Sequence, residues 1–69
     1  MRDHDFEVLR AAKQRIGAAY AKARDIPGVR ICTLDGLFAD ALRLCLGSRP
    51  ATQAKILASY AAQFERMAD

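Results

Sequence analysis

One histidine, two cysteines and two serines are the side chains from which this chain could build a nucleophile or a metal site. His4 stands between Asp3 and Asp5. Three adjacent polar residues at a helix start do not supply the fixed, complete ligand set that a metal ion needs, so they read as a solvated helix entry. Cys32 and Cys45 match neither a C-x-x-C redox pair nor a zinc ligand spacing. Cys45 falls on an apolar stripe, where free cysteine behaves as a small hydrophobe, and no base stands near it in sequence. Ser48 reads as a helix cap and Ser59 as a surface residue. Asp35 and Asp40 lie too far apart along a helix to act as a pair. Gly17, Gly28, Gly36 and Gly47 are scattered and form no phosphate-cradling loop. The expectation is a chain without catalytic residues, metal or cofactor.

Binding chemistry is better represented. Arg10, Lys13, Arg15, Lys22 and Arg24 fall in one stretch that contains no acid. At helical spacing they divide into two groups. Arg15 and Lys22 share a flank with Ala11 and Ala18, while Arg10, Lys13 and Arg24 share the opposite flank with Gly17. A net charge of +3 is compatible with an acidic protein surface or with nucleic acid. Arginines and aromatics dominate protein interfaces, so Arg15, Lys22, Arg24 and Tyr20 are the expected partner-binding residues. The alternative is DNA binding by a helix-turn-helix-like unit, with Arg49, Gln53 and Lys55 offered to phosphates and bases. Arg43 weakens that match, because it stands one turn before Gly47 where a small packed residue belongs. RNA recognition lacks an aromatic stacking platform.

Three helices must position these groups, over about 3–25, 33–46 and 49–67 by the sequence signals for starts and stops. Leu9, Ala12, Ile16, Ala19, Ala23 and Ile26 recur at steps of three and four, widened on one side by Phe6 and Tyr20. The first helix must stop near Asp25, because Ile26 precedes Pro27 and a pre-proline residue resists the α region. Val29 to Cys32 reads as a short extended connector. Thr33 then caps the second helix, with Cys32 and Leu37 as a hydrophobic staple and Gly47 as its C-terminal stop. Leu34, Leu37, Phe38, Ala41, Leu42, Leu44 and Cys45 cover so wide an arc that 33–47 is expected to be the central helix, covered on both sides. In the third helix Ile56, Leu57, Tyr60, Phe64 and Met67 form one stripe. Ala54, Ala58, Ala61 and Ala68 form a second, interrupted by Glu65.

With 69 residues the chain is a single domain, of a size that buries only about 60% of its unfolded surface and is marginally stable alone. Self-association is therefore expected, with Ala54, Ala58 and Ala61 as the seam of a homodimer. No secretory signal is visible and the longest apolar run is too short to span a bilayer. A cytoplasmic location with free thiols is the corresponding expectation. The sequence thus predicts an all-α three-helix bundle. It is read as a small non-catalytic protein that binds another protein and regulates, inhibits or adapts it.

Overall fold

The structure is a computed structural model that describes residues 3–68. It consists of three α-helices, α1 (Asp3–Arg24), α2 (Ile31–Cys45) and α3 (Pro50–Ala68), with no strand among the described residues. The expected all-α three-helix bundle is the observed fold. The Cα atoms extend over 42 × 19 × 13 Å. α1, about 33 Å long at 1.5 Å per residue, accounts for most of the long axis. None of them is long and apolar enough to cross a membrane.

α1 buries the predicted stripe of Leu9, Ala12, Ile16, Ala19 and Ala23. It stops at Arg24, where the Ile26–Pro27 step forbids continuation. The Val29 amide donates to the Ile26 carbonyl at 3.3 Å, closing a turn in which Gly28 takes φ +90°. This is the left-handed third position that a turn with proline second reserves for glycine.

α2 starts earlier than its sequence suggests. Ile31 and Cys32 belong to its first turn, and the residue before it, Arg30, makes no side-chain cap. Thr33 is therefore inside the helix rather than its cap, and the Cys32–Leu37 staple does not form. The entry is held by apolar packing instead. Val29 and Leu34 occupy the two staple positions, with Leu34 fully buried and Val29 packed on the core. At the other end Gly47 takes φ +77°, as its position after the last helical turn requires. Proline then opens α3 at its first position, where its missing N–H costs nothing.

The packing order also differs from expectation. α1 and α3 form the principal pair, with α2 contributing fewer contacts to either. Residues 13 and 20 of α1 lie by Cys45 and Asp35 of α2 respectively, so α2 runs antiparallel to α1. Ile16 lies by Leu57, and Tyr20, four residues on, meets Phe64, seven residues on, so α1 and α3 run parallel. α2 is consequently a lid on the α1–α3 pair and not its centre. Leu34 and Ala41 are fully buried, but Leu42, Leu44 and Leu46 are 52%, 54% and 79% exposed.

The alanines explain this hierarchy. The buried face of α3 is Ala54, Leu57, Ala61 and Phe64, a single line at steps of three and four that draws on both predicted stripes. Together with Ala12, Ala19 and Ala23 these small side chains permit close approach of helices. Of the alanines read in the sequence as a homodimer seam, Ala54 and Ala61 are buried within the single chain and Ala58 is half-buried.

Candidate functional site

The residues expected to bind a partner are largely engaged inside the chain. Arg15 grips Glu65 through two parallel hydrogen bonds, Nε to Oε2 at 2.9 Å and Nη2 to Oε1 at 2.6 Å. This fork clamps α1 to α3. It explains why Glu65 interrupts the alanine stripe. Tyr20 is half-buried, and its hydroxyl donates to a carboxylate oxygen of Asp35, tying α1 to α2. That hydrogen bond, with burial, holds the Tyr20 phenol above its ordinary pKa. Arg24 lies over the Tyr20 ring at 5.7 Å, in reach of a cation–π contact. Lys22 is exposed and shares a hollow of about 490 Å³ with Ile26, Glu65 and Ala68.

The Arg15 fork has a pH signature. Hydrogen bonding to Arg15 is the main cause that holds the Glu65 carboxyl below the usual glutamate range. A depressed carboxyl stabilises the fold above its unfolded pKa of roughly 4.3, and the contribution is lost as pH falls through the folded value. Glu65→Gln should therefore unfold at a melting temperature that falls less steeply between neutral and acid pH than that of the native chain. Parallel slopes would show that the fork contributes nothing in solution.

The DNA-reading set divides as well. Arg49 and Lys55 are exposed, whereas Gln53 is half-buried with its amide nitrogen engaged within the chain. Its amide nitrogen donates to the carbonyls of Cys45 at 3.1 Å and Ser48 at 2.9 Å. Ser48 Oγ donates to the Leu44 carbonyl at 2.9 Å. Two of these acceptors, Leu44 and Cys45, belong to the last turn of α2, and the third, Ser48, lies in the turn that leads to α3. Gln53→Ala should cost about 1–2 kcal/mol, the sum of two partly buried hydrogen bonds. Chemical denaturation of the two chains checks this.

What remains open is a valley between α1 and α2, which sequence spacing did not single out. At one end a groove of about 390 Å³ is floored by Leu57 and walled by Lys13 and Ile16 on one side and by Phe38, Leu42 and Leu46 on the other. A second hollow of about 370 Å³ continues it past Gly17 and Tyr20 and shares Phe38 and Leu42. Both are overwhelmingly apolar. Cys45 lines the first, and burial pushes its thiol pKa up against the opposing pull of Lys13, which favours the neutral thiol over the thiolate. Cys32 and Cys45 are both free thiols, and His4 is exposed.

The valley exists because two helix flanks fail to meet. Gly17 has no side chain on the α1 wall, and a Cβ built there would touch nothing within 4 Å. α2 is held to α1 at the Tyr20–Asp35 end and to α3 at its last turn, and between them Leu42 and Leu46 stay more than half exposed. A signal was present in the sequence: the wide apolar arc of α2 includes Leu42 and Leu44, which stay more than half exposed when α2 packs on one side only. Comparison of the chain with protein-family models, with curated proteins and with solved structures returns no match.

Proposed function

We propose that this chain is a small non-catalytic helical protein that binds another protein and regulates, inhibits or adapts it, with the α1–α2 valley as its docking surface. The observation that carries this reading is the exposure of Leu42 and Leu46 beside an apolar groove. Clustered exposed apolar side chains with polar surroundings mark interaction surfaces. The partner-binding surface is thus moved from the exposed tips of α1 to the flank it shares with α2. Arg15 and Tyr20 support that surface from behind by holding the three helices in place. Gln53 does the same for the α2–α3 turn, which removes the polar side chain best suited to reading a base.

The test is capture from source-cell lysate with the native chain and with Leu42→Gln/Leu46→Gln. Both leucines are more than half exposed, so the double variant should keep its fold, with a stability change within about 0.5 kcal/mol per site. A protein captured by the native chain and lost with the variant is the expected result. Identical captures from both chains, or capture of nucleic acid alone, would overturn the reading.

A further inference from the structure

Resting on the docking reading above, we infer that the valley takes an amphipathic helix with an acidic flank. Its walls are two helices, and the α2 wall from Asp35 to Leu46 measures about 16 Å at helical rise, or about three turns. Phe38, Leu42 and Leu46 recur along it at steps of four, with Cys45 three residues after Leu42. A third helix with apolar residues at the same period interdigitates with such rows.

Charge decides what kind of helix enters. Arg10, Lys13, Gly17 and Arg24 share one flank of α1 by spacing, and Lys13 and Gly17 line the valley. None of these three cations makes an ion pair among the described residues, whereas Arg15 has Glu65 and Arg43 has Asp40. Asp35 supplies negative charge only at the Tyr20 end, where it accepts the tyrosine hydroxyl. At the Leu42–Leu46 end the α1 wall therefore presents Lys13, with Arg10 three residues before it on the same flank, and an acidic flank on the incoming helix complements them. A second copy of this chain fits less well. It carries the same net charge of +3 and would bring a second basic wall toward the first.

Three synthetic fluorescent peptides of about 14 residues test this. One has leucines every three or four residues with glutamates on both flanks. The second replaces the glutamates by lysines. The third keeps the acidic composition but breaks the leucine period. By fluorescence anisotropy, the acidic helix should bind saturably, the lysine twin at least about tenfold more weakly, and the third not at all. Arg10→Glu/Lys13→Glu should invert the order of the first two. Gly17→Leu separates docking from folding. It fills the valley from a site with open space and improves helix propensity, so the melting temperature should rise while the acidic peptide is lost.

Equal binding of the acidic and lysine peptides overturns the charge assignment. So does binding unaffected by Gly17→Leu. A native chain that sediments alone as a dimer, and as a monomer once Gly17→Leu is made, gives the valley to a second copy instead. Failure of all three peptides, with lysate capture still dependent on Leu42 and Leu46, overturns the acidic helix but leaves the docking reading standing. If that capture is independent of both leucines, the two fall together.

Discussion

Phe64→Ala should leave the chain largely unfolded at room temperature. Each helix contributes one ring to a single cluster: Tyr20 from α1, Phe38 from α2 and Phe64 from α3. Phe64 is fully buried, lies nearly parallel to Phe38 at a centroid distance of 6.4 Å, and meets Tyr20 edge-on at 6.0 Å. Tyr20 and Phe38 pack edge-on at 5.1 Å. Truncating a buried phenylalanine costs about 3–5 kcal/mol. A core in a chain of this length rarely supplies more than about 3–5 kcal/mol in total. Circular dichroism should show most of the helical signal gone and no cooperative thermal transition. A variant that melts within a few degrees of the native chain would mean that the ring cluster does not hold the three helices together.

Ala61→Glu should be comparably severe, and it distinguishes the observed packing from the alanine seam read in the sequence. Ala61 is fully buried within the single chain. A carboxylate placed in an apolar interior titrates near roughly pH 8–9, so at neutral pH it must take up a proton at a cost of about 3 kcal/mol. The added volume costs about 1–3 kcal/mol more. The sign with pH follows. A raised carboxyl pKa makes the penalty largest at neutral pH and smaller as pH falls toward the unfolded value near about 4. Denaturation at both pH values should show the gap to the native chain narrowing in acid. Were Ala61 on an intermolecular seam, the same change would alter only the sedimentation of a monomer that stays folded.

Such a penalty arises because the core is built of small residues. Alanine contributes little burial energy per residue, but it brings helix axes together. The chain is therefore stable through the fit of α1 against α3, with Arg15–Glu65 across the rim and one aromatic cluster linking α2. The same economy of size leaves no third wall over Leu42 and Leu46.

Local chemistry sets the three helices, the buried line of α1 and the places where the chain turns, though not the first residue of α2. It does so through the period of apolar residues, a proline that ends α1, and glycines at the two left-handed positions. It also placed Arg10, Lys13 and Gly17 on one flank of α1, which is the wall of the valley. Only the tertiary structure decided which helix is central. An apolar arc states that a helix has surface to bury, but it does not say whether a neighbour of the same chain reaches it. The choice between α1–α3 and α2-centred packing turned on alanines from two apparent stripes merging into one face. Likewise, Arg15 with Glu65 and Tyr20 with Asp35 are pairs far apart in the chain, invisible to spacing rules that operate within one helix. The apolar valley follows from the same long-range contacts, because it is what the helices leave uncovered after those contacts are made.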